Sequence, residues 1–238
     1  MNSNGEDPAE RPQEIRNIIN GLERYNPEAA TVLEAYLSQQ CEQKFCDCNA
    51  NRALLKLYQL NPDRIKDEVI TNILVKAMTQ FPSPQFDLAL HLLSPSQTSP
   101  SARSELSEAV DNLRKLNLQL EGAQYARFWA TFESDDIYAD LTTDIAGFEE
   151  MIRLQIARLV GNSYREISVS LLENWLGLDD EAEVRRFVSE TCGWKVAEGG
   201  LVQIPKNAEN EAKKTEIRED VNIDMFSRVI KRSWEETA

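Results

Sequence analysis

The chain has 238 residues, enough to bury a sizeable core as one large domain or two smaller ones, and its 42% hydrophobic and 28% charged composition with nine glycines is that of a mostly helical globular protein. A formal net charge of −14 and an isoelectric point near 4.6 argue against general affinity for nucleic acid or anionic membranes. No apolar run approaches the ~20 residues needed to cross a bilayer, and the acidic start, Met1 to Glu10, is unlike a signal peptide, so a cytoplasmic protein is expected.

Met1 to Arg11 is polar and acidic and is expected to be disordered. Pro12 opens a first helix bearing Ile15, Ile18, Ile19 and Leu22. Asn26-Pro27 is then a helix start, with Asn26 as N-cap and Pro27 where its missing N–H costs nothing. Ala29, Ala30, Val32, Leu33, Tyr36 and Leu37 form the buried face of this second helix, and Gln39 to Asp47 reads as a polar connection. A third helix carries Ala50, Ala53, Leu54, Leu57 and Tyr58 as far as Asn61-Pro62. The next bears Ile65, Val69, Ile70, Ile73, Leu74, Ala77 and Met78 and stops at Phe81-Pro82-Ser83-Pro84. A shorter one follows with Phe86, Leu88, Leu90, Leu92 and Leu93. Helix pairs with short polar joints cannot cover their apolar faces alone and are expected to stack as a solenoid, with a plain bundle as the alternative.

Ser94 to Ala102 is a loop by composition. Helix resumes through Leu106, Val110, Leu113, Leu116 and Leu120, and after Gly122 an aromatic stripe of Tyr125, Phe128, Trp129 and Phe132 has the spacing of a packing face. Ile137, Tyr138 and Leu141 lead into a long helix with Ile145, Phe148, Ile152, Ile156, Leu159 and Val160. Gly161-Asn162-Ser163 ends it, and Tyr164 to Ile167 is a short strand. Ser168 or Ser170 caps a helix carrying Leu171, Leu172, Trp175 and Leu176, which Gly177 stops. Asp179 caps the next, with Val184, Phe187, Val188 and Thr191 on one face. Trp194 to Ala197, Glu198-Gly199-Gly200 and Leu201 to Ile204 then form a hairpin. Helix, strand, helix, helix, hairpin is the order of a winged helix, the alternative being ordinary core elements of a larger helical domain. Between Asp179 and Glu190 five carboxylates face only Arg185 and Arg186, a balance that phosphates would repel, so the module reads as a protein-docking element.

Lys206 to Asp220 is rich in both charges and poor in apolar residues, and is taken as a linker. Beyond it Asp224 caps a last helix with Ile223, Phe226, Val229, Ile230 and Trp234 along one side. That stripe must be covered by its own domain or by a partner's bundle, and the linker favours the partner. The expected divisions are 1–11, 12–143, 144–205, 206–220 and 221–238.

Chemistry-bearing motifs are scarce. Cys41, Cys46, Cys48 and Cys192 lack zinc spacing, and the only histidine, His91, falls in a different expected helix, so no metal and no cofactor is expected. No phosphate loop, dinucleotide fingerprint or nucleophile elbow occurs. A non-catalytic scaffold or subunit is what this composition suits.

Four stretches carry a family resemblance: Gly21-Leu22-Glu23-Arg24-Tyr25-Asn26-Pro27-Glu28, Leu54 to Pro62, Gly147-Phe148-Glu149 and Cys192-Gly193-Trp194. From about Asn17 to Pro205 the chain resembles the PCI-domain family, and within it the k subunits of eukaryotic translation initiation factor 3. The resemblance implies a mostly α fold: a HEAT/TPR-like helical-repeat domain, a winged helix with a small β-hairpin, and a C-terminal helix. Ile167, Val169, Leu172, Leu176, Glu183, Val184, Val188, Gly200 and Val202 fall where the winged-helix pattern expects them. It also implies side-by-side docking of winged helices, C-terminal helices joining a common bundle, subunit l as nearest neighbour, and action on the small ribosomal subunit through the complex. The acidic N-terminus, the Ser/Pro loop and the charged 206–220 stretch depart from the pattern and bear on loop contacts. The candidate partner-binding residues are Leu201, Val202, Ile204, Phe226, Val229, Ile230 and Trp234, with no direct DNA contact and no membrane. The rival classes are a nucleic-acid-binding winged helix and a PCI subunit of the proteasome lid or signalosome.

Overall fold

Pro12 occupies the N-cap of the first helix, α1 (Gln13–Asn20), and Ile15, Ile18 and Ile19 bury its apolar side. This is seen in a computed structural model, which describes residues 8–99, 104–197, 199–212 and 223–235. The Asn26-Pro27 turn feeds α2 (Ala29–Glu42): the Asn26 Oδ1 accepts from the Glu28 N–H at 3.1 Å, and its carbonyl accepts from the Ala29 N–H at 3.0 Å. Asp47 caps α3 (Cys48–Leu60) by accepting from the Ala50 N–H at 2.9 Å. Next come α4 (Asp67–Met78) and α5 (Gln85–Leu90). Helix α2 packs on α3 and α4, and α5 packs on both α3 and α4. Ile70, Ile73, Leu74 and Met78 of α4 are buried where these helices meet.

The succession continues through a single turn, α6 (Pro95–Thr98), then α7 (Glu105–Glu121), α8 (Tyr125–Phe132) and α9 (Asp136–Thr142). Helix α7 is held against α4 and α8 by Leu106, Val110, Leu113, Leu116 and Leu120, all buried. The aromatic stripe of α8 is a packing face, as its spacing suggests: Phe128 and Phe132 stack with centroids 5.9 Å apart, and Phe132 meets Phe148 at 5.7 Å.

The remaining elements follow the winged-helix order. They are α10 (Phe148–Ser163), β1 (Glu166–Ser168), α11 (Val169–Leu176), α12 (Glu181–Arg186) with a π-helical turn over Phe187–Thr191, β2 (Lys195–Ala197) and β3 (Leu201–Gln203). The three strands form one antiparallel sheet in the order β1-β3-β2. A last helix, α13, covers Ile223–Glu235.

Several local expectations are corrected. Gly21 ends α1, and Leu22 begins a separate 3₁₀ turn (Leu22–Tyr25) with 88% of its surface exposed, so it does not belong to the buried face of the first helix. Leu88 is likewise exposed. Within the supposed loop at Ser94 to Ala102, Ser94 and Gln97 form a capping box that winds α6, because Ser, Pro and Gln at these positions are helix-initiating residues; residues 100–103 lie outside the described ones. Asp180, not Asp179, caps α12, accepting from the Ala182 N–H at 3.0 Å.

The expected disordered start is ordered at its end. Pro8 and Arg11 are buried, and Arg11 grips Asp47 through Nε–Oδ2 at 2.5 Å and Nη2–Oδ1 at 2.7 Å; residues 1–7 lie outside the described ones. The expected linker is likewise tied down where it begins. Asn207 and Asn210 donate to the Gly161 carbonyl at 2.8 and 3.0 Å, and Asn210 also donates to the carbonyls of Tyr164 and Pro205. These contacts hold the stretch after the hairpin on the end of α10, whereas residues 213–222 are not described.

Candidate partner-docking surfaces

The orientation of the winged helix is set by a joint that starts from one indole. Trp129 of α8 donates from Nε1 to the Trp175 carbonyl in α11 at 2.9 Å. Arg153 of α10 lies over its ring at 4.7 Å and donates to the carbonyls of Leu176 and Gly177 at 2.9 and 3.1 Å. The guanidinium thus satisfies carbonyls left free at the C-terminal end of α11 while stacking on an aromatic face. Gly177 turns the chain with φ of 57°, and a Cβ there would lie 2.5 Å from Trp129 Cγ. Both a left-handed backbone and the absence of a side chain are needed at that point.

At the sheet, alternation along β3 separates its residues. Val202 pairs with Ile167 and Val196 and is buried, while Leu201, 44% exposed, and Gln203 point the other way. Ile204 is buried and donates its N–H to the Arg165 carbonyl at 2.9 Å. Of the hairpin residues singled out from sequence, Leu201 alone is therefore presented to solvent, and Val202 and Ile204 hold the sheet on its helices. The outer strands β1 and β2 each pair with β3 on one side. The N–H of Val169 donates to the Gly200 carbonyl at 2.9 Å, tying the hairpin turn to the start of α11.

The face of α12 confirms its acidic balance as an arrangement in space. Arg185 is taken up by Glu181 one turn earlier, its Nη2 lying 2.5 Å from Oε1. Glu183 and Glu190 are exposed beside it.

Helix α13 carries an exposed apolar stripe. Phe226, Val229, Ile230 and Trp234 are 60, 67, 52 and 75% exposed and recur at three- and four-residue spacing along one side. Monomeric surfaces seldom expose a contiguous stripe of this kind without a use for it. The four residues share one face of α13, whereas Leu201 belongs to the separate sheet surface.

Sequence reasoning missed a buried polar hub inside the helical region. The Asp47 carboxylate, between Arg11 and α3, also accepts from the Tyr36 hydroxyl at 3.2 Å. The Gln40 Oε1 accepts from the Asp47 N–H at 2.7 Å, and its Nε2 donates to Asn51 at 2.8 Å. The Lys76 amine, fully buried, donates to the Gln40 carbonyl at 2.8 Å. Burial pushes the Lys76 amine below its ordinary value and the Tyr36 phenol above its own, the latter helped by the nearby Asp47 charge. The available signal was a glutamine and a lysine placed in register with apolar faces. Among the described residues no group of three or more His, Cys, Asp or Glu side chains is arranged to hold a metal ion.

Comparison with known proteins bears on this architecture. A family model described as the CSN8/PSMD8/EIF3K family matches residues 64–216, which run from just before α4 to beyond the hairpin. The chain is 78% identical to a eukaryotic translation initiation factor 3 subunit K from Neurospora crassa over 237 residues, covering 99% of this chain and all of that one. The chain belongs to the eukaryotic translation initiation factor 3 subunit K family. Another family member, from Pyricularia oryzae, is 73% identical over 99% of this chain and 98% of its own length, and one from Botryotinia fuckeliana is 52% identical over 96% of each. The family assignment and the mostly helical fold with its small antiparallel sheet agree with the PCI-type architecture expected from sequence. No described helix is long and apolar enough to cross a membrane.

Proposed function

We propose that this chain is a non-catalytic scaffold subunit of translation initiation factor 3, acting in the cytoplasm through protein contacts alone. The helical repeats, residues 12–143, and the winged helix, 144–205, form its body. The winged helix docks beside that of a neighbouring PCI subunit, subunit l, with Leu201 at the contact. Helix α13 enters a helical bundle shared with other subunits, burying Phe226, Val229, Ile230 and Trp234. Contact with the small ribosomal subunit comes through the assembled complex. The observation that carries the proposal is the exposed apolar stripe of α13, a surface suited to a groove between partner helices. The names of the relatives, all subunits of one initiation factor, support the choice of assembly.

The test replaces Phe226 and Ile230 together by aspartate in the full chain and measures co-purification with the other subunits. Loss of the complex with an unchanged thermal unfolding midpoint is expected. Undiminished co-purification would overturn the proposal, and salt-sensitive binding of the free chain to RNA would favour a nucleic-acid role instead.

A further inference from the structure

Cys46 and Cys48 flank the buried carboxylate at the centre of the polar hub, and their sulfurs lie 3.4 Å apart. Both thiols are buried and neither is in a disulfide. The one residue between them, Asp47, caps α3 and holds both arms of the Arg11 guanidinium. Nothing in the docking function uses this pair.

We propose that Cys46 and Cys48 are a thiol–disulfide couple whose oxidation by a peroxide unties the N-terminal segment from α3. Two residues apart in sequence, their Cα atoms are no more than about 7 Å from one another, near the span that a disulfide accommodates. Bonding requires the sulfurs to approach to about 2.05 Å, a closure of about 1.4 Å from the present contact. That closure is made by torsions of Asp47, whose φ and ψ of −113° and 83° lie outside the standard helical and extended values. Turning them carries the carboxylate away from Arg11, the Tyr36 hydroxyl and the Ala50 N–H together.

The chemistry balances with peroxide as sole oxidant. The Cys46 thiol takes one oxygen from hydrogen peroxide to become a sulfenic acid, releasing water. The Cys48 thiol then attacks that sulfur, the S–O bond breaks and a second water leaves as the S–S bond forms. Two thiols are oxidised and the peroxide is reduced to water. The contact with Cys48 and burial push the Cys46 thiol well above its ordinary value, so its thiolate is scarce at neutral pH and oxidation is slow.

The test treats the full chain with hydrogen peroxide at neutral pH, alkylates the remaining thiols, and reads intact mass and a peptide map. The expected product has lost about 2 Da, with Cys46 joined to Cys48, and reverts with dithiothreitol. In that product, cleavage after Glu10 by a glutamyl endopeptidase is expected to run about tenfold faster. Cys46→Ser, or Cys48→Ala should the first variant fold poorly, removes both effects, and Arg11→Ala accelerates formation of the link. Oxidation confined to Cys192, a link to Cys41 instead, or a Cys46–Cys48 bond that leaves cleavage after Glu10 unchanged would each overturn the proposal.

Discussion

Two glycines with nearly the same positive φ offer a measure of how tightly the helical region and the winged helix are joined. Gly177 has φ of 57° and Gly193 has φ of 66°, both left-handed, but a Cβ on Gly177 would meet Trp129 at 2.5 Å whereas one on Gly193 meets nothing within 4 Å. Alanine in this conformation costs about 1–2 kcal/mol from backbone sterics alone, and that cost is common to both sites. At Gly177 the methyl must also displace an indole by about 1 Å to recover normal carbon contacts of about 3.5 Å. The ring resists because its Nε1 is bonded to the Trp175 carbonyl and its face is covered by Arg153. Overpacking of this kind adds about 1–3 kcal/mol. Urea unfolding followed by circular dichroism on the two variants isolates the difference, with Gly177→Ala expected to lose about 1–3 kcal/mol more than Gly193→Ala. Equal losses, within about 0.5 kcal/mol, would mean that the indole yields freely and that the joint is not rigid.

Further outcomes follow from the hub and from the winged helix. Arg11→Ala leaves the Asp47 carboxylate buried without its counter-ion and should lower stability by about 3–5 kcal/mol in the same unfolding experiment, whereas a loss below about 1 kcal/mol would show the pair to be dispensable. Burial pushes the Cys192 thiol up to about 11, so the reactive thiolate is scarce at neutral pH and its alkylation by iodoacetamide should rise about tenfold per pH unit through the alkaline range. A rate that levels off near pH 9 would contradict this. The sign for stability is the same: an unfolded thiol ionises first, so this contribution to stability is complete below the unfolded value and is lost as pH climbs toward the folded one. Cys192→Ala should flatten the stability profile over that interval.

Much of the fold is legible in the order of apolar residues. The 3.6-residue recurrence of Ile70, Ile73, Leu74 and Met78, or of Ile152, Ile156 and Val160, reflects burial against neighbours, and the structure buries all of them. The winged helix is legible because strand alternation and helical spacing change places within sixty residues. The hub is not, since Arg11 and Asp47 stand 36 positions apart and Gln40 and Asn51 eleven. Hydrophobic pattern treats polar side chains as facing water, and only three-dimensional contact shows that these satisfy one another. The hairpin is an intermediate case. Alternation from Leu201 to Ile204 separates the exposed residue from the two buried ones, a distinction that hydrophobicity alone does not make.

The hold of Asn207 and Asn210 on the end of α10 settles where the tail is moored. Trp194 packs against Gly161, the residue whose carbonyl both asparagines grasp, so the mooring stands beside the hairpin. From Ala212 to Ile223 the chain spans at most about 40 Å even when drawn straight. Any docking of α13 is accordingly confined to surfaces within that reach of the corner where Trp194 and the two asparagines meet the end of α10.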